Sequence, residues 1–216
     1  GCDGLVIENF GDRPFFATRV PPETIASMTR VICALSEVRL PIGVNVLRND
    51  ARSALAIAAA VGAAFIRVNV HTGAMVTDQG IIEGEAAGTL RYRSRIAPDV
   101  AIFADTQVKH AAPLANVDVI QSAKDLRLRG LADAIIITGA ETGAATDPHH
   151  LQMLRGAVDA PLIIGSGIDE TNAATFADAD GAIVGTALKR DADVEAEVDQ
   201  SRVERIVRAF KLRGGP

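Results

Sequence analysis

Seven short runs rich in β-branched and aliphatic residues recur along the 216-residue chain, and they constrain its fold more than any other feature. The runs lie near residues 4–9, 42–48, 65–71, 100–105, 134–139, 161–165 and 181–185. Most are apolar on both alternating faces, which is typical of parallel strands covered by helices on each side. We predict helical segments between them at 22–38, 50–63, 116–129, 147–159, 169–178 and 193–212. The pattern indicates a βα unit repeated seven times.

Seven sequential βα units, with no signal for a change in strand order, predict a TIM-type (β/α)8 barrel whose first βα unit is missing from this chain. The chain opens at Gly1 and enters the apolar run Leu5–Ile7 almost at once. We therefore interpret residues 1–216 as a single barrel domain that is incomplete at its N-terminus. An open, doubly wound sheet shows the same alternation and needs no missing unit, so it remains the alternative.

The composition excludes several classes of protein. The formal net charge is −5 and the basic residues are scattered, so the chain lacks the concentrated positive field of a nucleic-acid-binding protein. Cys2 and Cys33 form neither a CxxC pair nor a metal-ligand spacing, which favours a reducing cytoplasm. No apolar run reaches the roughly 18 residues that a membrane-spanning helix needs. We expect a cytoplasmic protein that is not integral to a membrane, and a homo-oligomer is compatible with the sequence.

Small residues follow the last two runs of the series. Gly165-Ser166-Gly167 comes after PLII, and Gly185-Thr186 comes after GAIV. In a βα barrel the loops after strands seven and eight commonly bind phosphate, through backbone N–H groups near helix N-termini that a Cβ atom would obstruct. The loop at 138–143, with Gly139 and Gly143, is built in the same way. We predict a site for a small phosphorylated metabolite; the alternative is that these glycines only form tight turns.

Polar side chains close several of the runs, where buried strands should be apolar. They are Glu8, Asn9, Asn45, Arg48, Asn69, His71 and Asp105, with Lys109 just beyond. Alternation places Arg67, Asn69 and His71 on one side of their strand. Such a ring would bind the polar part of a ligand through Asn9, Asn45 and Asn69. The alternative is a buried network that only fills the barrel, for example Glu8 with Arg67 or Asp105 with Lys109.

If the protein is an enzyme, acid–base chemistry is the least specific mechanism that these residues support. Asp105 or Glu8 would act as base, and Lys109 or His71 as acid or electrostatic stabiliser. The substrate class would be a phosphorylated sugar or a nucleotide-like compound. No histidine lies in HExxH or a similar spacing, so we predict no metal, although Glu8, Asp105 and His71 would form a set of ligands. The sequence identifies no cofactor.

Residues 72–83 are too many for an ordinary βα turn and show no strong period. Loops of about 12 residues in a compact domain are often lids or binding elements. A lid over the barrel mouth is the functional interpretation, and an inert excursion is the other.

Several segments resemble the BtpA/SgcQ family. They read GCDGLVIENFGDRPFF at 1–16, then VPPETIASMTRV, VNVHTGAMVTDQGIIEGEA, ADTQVKHAAPL, ADAIIITGAETG and IIGSGI in the same order as in the family. The resemblance implies a TIM-type barrel preceded by a further strand and a Pro-rich loop. The matching polar residues are Glu8, Asn9, Asp12, Asn45, Asn69, Asp105, Lys109 and His110, and Thr106 departs from the family's DVxVKHA-like block.

The family is named for a cyanobacterial role in photosystem I biogenesis, yet its members also occur in organisms without photosynthesis, so the resemblance implies little mechanism. Two functions follow as expectations. The first is a barrel that binds a phosphorylated metabolite and acts as an enzyme of unknown reaction. The second is a non-catalytic assembly or stability factor that acts through protein contacts. Fold alone does not decide between them.

Overall fold

The computed structural model describes residues 1–35, 37–106, 111–138 and 147–211. The strands that it shows are β1 (Leu5–Glu8), β2 (Ile42–Asn45), β3 (Phe65–Val68), β4 (Ala74–Thr77), β5 (Gly80–Glu83), β6 (Ala101–Asp105), β7 (Ala111–Pro113), β8 (Ala134–Ile137), β9 (Leu162–Ile164) and β10 (Gly181–Ala182). Seven of them form one parallel sheet in the order β1-β2-β3-β6-β8-β9-β10. Each of the seven apolar runs of the sequence contributes one strand to this sheet.

The helices of the described residues are α1 (Pro22–Cys33), α2 (Ala51–Val61), α3 (Ala86–Ile96), α4 (Val119–Lys124), α5 (Pro148–Ala157) and α6 (Gln200–Lys211). Their starts follow local chemistry. Pro22 opens α1 at a position where a missing N–H costs nothing. Asp50 caps α2 by accepting a hydrogen bond from the Ser53 N–H at 2.9 Å. Gly62 ends α2 with a φ of +69°, a conformation that favours glycine. None of these helices is both long and apolar enough to cross a bilayer.

Strand order identifies the architecture. Neighbours in the sheet follow the order of the chain, and a doubly wound sheet would reverse that order midway. The edge strands β1 and β10 are not paired with each other, yet residues beyond them meet. Arg13, after β1, donates a 2.6 Å hydrogen bond to Glu195, after β10, and the Lys211 ammonium lies 2.8 Å from Asp3. The sheet therefore curls into an incomplete α/β barrel, which confirms the predicted fold class.

The core lies in two layers of apolar side chains between sheet and helices. One cluster packs β2 and β3 against α1 and α2, with Leu55, Ile57 and Ile66 buried. The other packs β8 and β9 against α4, α5 and α6, with Leu154 and Phe176 buried. The strands are apolar because their side chains are buried against the helices. Polar groups are instead found at the ends of the strands.

Residues 72–83 form regular secondary structure where we predicted an irregular loop, and their role as a lid stays a prediction. They form the antiparallel hairpin of β4 and β5, and β7 completes a second, three-stranded sheet on the other side of β4. Met75 and Ile82 face each other on its buried side and pack with Val70. The hairpin turn at Asp78 and Gln79 still reaches the barrel mouth, as described below.

Three helical predictions need correction. Residues 86–96, for which we predicted no helix, form α3. Only a single 3-10 turn, Ala173–Phe176, occurs within the predicted helix at 169–178. The last helix begins at Gln200, and two 3-10 turns, Thr186–Leu188 and Arg190–Ala192, precede it. The units that follow β9 and β10 are therefore less helical than the alternation predicts.

Candidate functional site

A cavity of about 1210 Å³ lies at the carboxyl ends of the parallel strands. Its polar wall comes from β1, β2 and β3, and its opposite wall comes from the turns after β9 and β10. Residues that line it include Glu8, Asn45, Arg48, Arg67, Asn69, Gly165, Ser166, Gly167, Gly185 and Thr186. Barrel enzymes carry their sites at this end of the strands, because loops from every βα unit converge there. This cavity is the candidate functional site.

Arg67 lies at the centre of the polar wall. Its Nε and Nη2 atoms each donate a 3.0 Å hydrogen bond to the Asp105 carboxylate, and its Nη1 donates to Glu8 at 3.3 Å. This is the planar, bidentate pairing for which a guanidinium is suited. The Glu8–Arg67 pair is one that the sequence suggested as part of a buried network, and the network is present.

Two amides extend this network to β2. Asn69 donates to Asp105 at 3.0 Å, and Asn45 donates to the Asn69 side-chain oxygen at 3.0 Å and to the Arg67 carbonyl at 3.1 Å. Asn45 Oδ1 is buried and has no hydrogen-bond partner among the described residues. An unpaired buried acceptor is costly unless something donates to it. Since Asn45 lines the cavity, this atom is where the wall still lacks a donor.

Burial and nearby charges oppose each other at the two arginines of this wall. Burial would lower the pKa of Arg67, but Asp105 and Glu8 outweigh it and raise the pKa above its ordinary value. At Arg48 the net effect is the opposite: burial lowers the pKa, and the carboxylates of Asp105 and Asp78 offset only part of this lowering. Both side chains are nevertheless cations at neutral pH, because an arginine pKa begins so high.

The glycine turns after β9 and β10 face the same cavity, but the reason for glycine differs between them. At Gly165 a Cβ atom would collide with Ile136 Cγ2 and lie 2.7 Å from Thr138 Cγ2, so packing against β8 excludes any side chain. At Gly185 nothing lies within 4 Å of the Cβ position. Gly167 has a φ of +74° and needs glycine for its backbone. Packing against β8 is therefore a sufficient reason for glycine at position 165, and the phosphate contact of both turns stays a prediction.

Helix dipoles do not contribute at these turns. The segments that follow are 3-10 turns of four and three residues, Ala173–Phe176 and Thr186–Leu188. They are too short to build the macrodipole that we expected at a helix N-terminus. Positive charge comes instead from side chains: Lys189 and Arg202 line the cavity beside Thr186, and Arg202 is held by a 2.8 Å hydrogen bond to the Ala187 carbonyl.

Three predicted site residues among those described do not line this cavity: Asp105 is buried against Arg67, and His71 and Asn9 lie elsewhere. The His71 ring donates from Nε2 to the Gly130 carbonyl at 2.9 Å and is buried, and it is not among the described residues that line the cavity. Burial lowers its pKa, so the ring is neutral at pH 7. The Asn9 side chain accepts from the Leu47 N–H at 2.7 Å and donates to Asp12, which fixes the loop after β1. Asn9 instead lines a second cavity of about 370 Å³.

Three predicted site residues, Lys109, Gly139 and Gly143, lie outside the described residues. Within the described ranges, no group of three or more His, Cys, Asp or Glu side chains is placed to hold a metal ion. The carboxylates of Glu8 and Asp105 both bind Arg67, whereas the His71 ring binds the Gly130 carbonyl. The three side chains are therefore not brought together.

Sequence reasoning missed most of the charged and aromatic residues of the cavity. Arg48 stood out as a polar residue late in its run, but not as a site residue. The other charged and aromatic residues lie on loops, which carry no periodic signal, except for Arg202 in α6; they are Phe10, Arg13, Phe15, Asp78, Asp169, Lys189, Glu195 and Arg202. Among the described residues, the lining holds five cations (Arg13, Arg48, Arg67, Lys189 and Arg202) and four carboxylates (Glu8, Asp78, Asp169 and Glu195).

The fold and this cavity define a protein of the α/β-barrel class with a polar site at the carboxyl ends of its strands. The model of the BtpA family matches residues 1–212, and the chain belongs to that family. It is 47% identical over 213 residues to the photosystem I biogenesis protein BtpA of Synechocystis, an alignment that covers 97% of this chain and 74% of that protein. An uncharacterised protein of Methanocaldococcus jannaschii is 44% identical, with 99% and 82% covered.

Solved structures agree on the fold. The N-(5'-phosphoribosyl)anthranilate isomerase of Pyrococcus furiosus superposes with a TM-score of 0.60 over 97% of this chain and 88% of that one, at 14% sequence identity. The M276A mutant of FabK from Thermotoga maritima gives a TM-score of 0.55 over 82% of this chain and 53% of its own, at 17% identity. Identities this low show the barrel fold alone.

Proposed function

We propose that this BtpA-family barrel binds a small phosphorylated metabolite and acts on it by acid–base chemistry. One observation carries the proposal: the Gly165–Gly167 and Gly185–Thr186 turns, the cations Lys189 and Arg202, and the carboxylate of Glu8 all line a single cavity. A phosphate would accept hydrogen bonds from the backbone of the two turns and pair with the two cations. The remainder of the ligand would then extend toward β1 and β2.

Glu8 is the better placed of the two carboxylates for proton transfer. Its side chain is 25% exposed, lines the cavity and binds Arg67 through one oxygen, whereas the Asp105 side chain is 0% exposed and accepts three hydrogen bonds. A base must reach the substrate proton. We therefore assign proton exchange to Glu8, and to Asp105 the positioning of Arg67.

A thermal-shift comparison of ribose 5-phosphate with ribose tests the phosphate site. A ligand that binds only the folded chain raises its apparent stability. We expect ribose 5-phosphate to raise the Tm and ribose to leave it unchanged, and Gly185→Ala together with Lys189→Gln to abolish the shift. Gly88→Ala is the matched control, since Gly88 is an exposed glycine of α3 with open space at its Cβ position. Equal shifts with both sugars, or no shift with either, would contradict the proposal.

A specific surface favours the second candidate function, that of a non-catalytic assembly factor. Val76 and Ile81 are paired across β4 and β5 and are exposed, and Leu114 at the end of β7 is exposed as well. Scattered apolar residues are ordinary, but a cluster on one face is a common feature of protein contacts. If this function holds, Ile81→Ser removes it while Glu8→Gln leaves it intact, and the metabolite proposal expects the reverse.

A further inference from the structure

The loop after β1 places two aromatic rings and a guanidinium on the cavity wall. Phe10 and Phe15 lie with ring centres 6.3 Å apart and planes tilted by 55°, and the Arg13 guanidinium carbon lies 5.1 Å from the Phe10 ring centre. All three residues line the cavity. We call this group the aromatic platform. Among the polar and aliphatic residues that otherwise surround the cavity, it is a surface suited to a flat ring.

A second contact fixes the aromatic platform relative to the phosphate side. Arg13 donates a 2.6 Å hydrogen bond to Glu195, which also lines the cavity and follows the turns after β10. Both side chains are about half or more exposed, at 52% and 71%, so the pair adds little stability. The pair instead orients the Arg13 guanidinium, which lies at the cavity between the loop after β1 and the segment after β10.

The size of the cavity and the unpartnered Asn45 Oδ1 atom further limit which ligands fit. At about 1210 Å³ the cavity is larger than most sites for small ligands, which range up to about 1,000 Å³, and it far exceeds a phosphate alone. Asn45 lines the cavity and its Oδ1 atom is buried without a partner among the described residues, so a hydroxyl group that reached this atom would satisfy it. The wall therefore presents three kinds of contact: anion-binding turns, a hydroxyl acceptor and a surface for a flat ring.

We propose that the ligand is a nucleoside monophosphate, with its phosphate at the turns after β9 and β10, its sugar hydroxyls near Asn45 and its base on the aromatic platform. This assignment rests on the proposed function and narrows its substrate class from phosphorylated metabolites in general. The base contributes affinity by stacking, which any flat ring face can provide and a sugar phosphate cannot. The site discriminates a nucleotide from its own ribose phosphate part through Phe10, Arg13 and Phe15.

Calorimetric titration of the full chain with ribose 5-phosphate, adenosine 5'-monophosphate and uridine 5'-monophosphate tests the assignment. We expect at least one nucleotide to bind about tenfold or more tightly than ribose 5-phosphate, the gain that one stacked base provides. Phe15→Leu should remove most of this gain and leave the affinity for ribose 5-phosphate unchanged. Phe16→Leu is the matched control, because the neighbouring Phe16 is 59% exposed and is absent from the described lining.

The outcomes separate the two proposals. If ribose 5-phosphate binds and neither nucleotide binds more tightly, the nucleotide assignment is wrong and the phosphate site stands. If none of the three compounds binds, both proposals fail. If Phe15→Leu does not fold, Arg13→Met takes its place: it keeps the aliphatic stem, and its circular dichroism spectrum and Tm establish that the fold is retained. An Arg13→Met variant with an undiminished preference for nucleotide over ribose 5-phosphate would overturn the role of the aromatic platform.

Discussion

Arg67 donates two parallel hydrogen bonds to the Asp105 carboxylate, each 3.0 Å long, at the carboxyl end of the barrel. Both side chains are nearly inaccessible, with 9% and 0% of their surfaces exposed. The remaining nitrogen of Arg67 binds Glu8. The guanidinium of Arg67, on β3, therefore links Glu8 of β1 to Asp105 of β6. The position of Glu8 at the cavity therefore depends on Arg67, which lines the cavity, and on Asp105, which does not.

We predict that Asp105→Asn destabilises the protein strongly. The substitution leaves the buried guanidinium of Arg67 without its bidentate anion, and breaking a buried pair from one side costs about 3–5 kcal/mol. Glu8→Gln is the control: Arg67 keeps Asp105, and we expect a loss of about 1 kcal/mol. Urea denaturation measures both. Equal losses in the two variants would show that Asp105 is not the principal partner of Arg67.

We predict that alanine substitutions in the two glycine turns have different effects, one on folding stability and the other on ligand binding. Gly165→Ala forces a methyl group against Ile136 and Thr138 and should cost about 1–3 kcal/mol of folding free energy. Gly185→Ala meets open space and should change stability by about 0.5 kcal/mol or less. It adds a methyl group to the cavity wall, so it should weaken phosphate-ester binding. Denaturation midpoints, read beside titrations with ribose 5-phosphate, distinguish these effects.

His71 predicts a loss of stability in mild acid. Burial lowers its pKa below the ordinary value of 6.5, and the hydrogen bond to Gly130 opposes this only in part. Below about pH 6.5 the unfolded chain takes up a proton that the folded chain refuses, so stability falls with pH until the lowered pKa is reached. One such proton gives at most about 1.4 kcal/mol per pH unit.

His71→Gln keeps a donor for Gly130 and removes the titration. We expect its unfolding free energy, measured in urea at pH 7.5 and 5.5, to vary less than that of the unmodified protein. The exposed His149 provides the control substitution, His149→Gln, which should leave the pH dependence as it was. A His71→Gln variant with the full acid sensitivity would show that other groups cause it.

Asp50 should be worth more than an ordinary helix cap. Its carboxylate accepts from the Ser53 N–H and hydroxyl and also from the Val20 N–H at 3.0 Å, and the residue is buried. We expect Asp50→Ala to cost about 2 kcal/mol, the upper end for a cap. Asp118→Ala, which removes the exposed cap of α4, should cost about half as much or less. Thermal denaturation of the two variants makes the comparison, and a reversed order would contradict the role assigned to Val20.

The parallel sheet could be predicted because burial on both faces leaves its strands apolar throughout, as in Ile135–Ile137. The β4–β5 hairpin could not, because its outer residues, Val76 and Ile81, are as apolar as its inner ones, Met75 and Ile82. No alternation of polar and apolar residues marks those strands. The helix α3 was missed for a related reason: Arg91, Arg93 and Arg95 interrupt any apolar stripe.

The members of the polar wall and its Glu8–Arg67 pair were foreseeable, but the pairing of Arg67 with Asp105 was not. Strand-end positions identified Glu8, Asn45, Asn69 and Asp105, and the structure joins these through Arg67. Which carboxylate binds which donor depends on register, and β3 pairs with β6 so that Arg67 lies level with Phe103 and only its long side chain reaches Asp105. Phe15, on the loop after β1, and Arg202, in α6, approach the cavity through tertiary packing, for which sequence spacing offers no rule.

The contact between Arg13 and Glu195 also has a consequence for the time at which the site forms during translation. The two residues are 182 positions apart, so this contact at the mouth of the cavity forms only after Glu195 has been synthesised. At the usual pace of translation, about 5–20 residues per second, this is an interval of about ten to forty seconds. During that time the nascent loop after β1 lacks its contact with Glu195, and the site that we propose for a nucleotide is still incomplete.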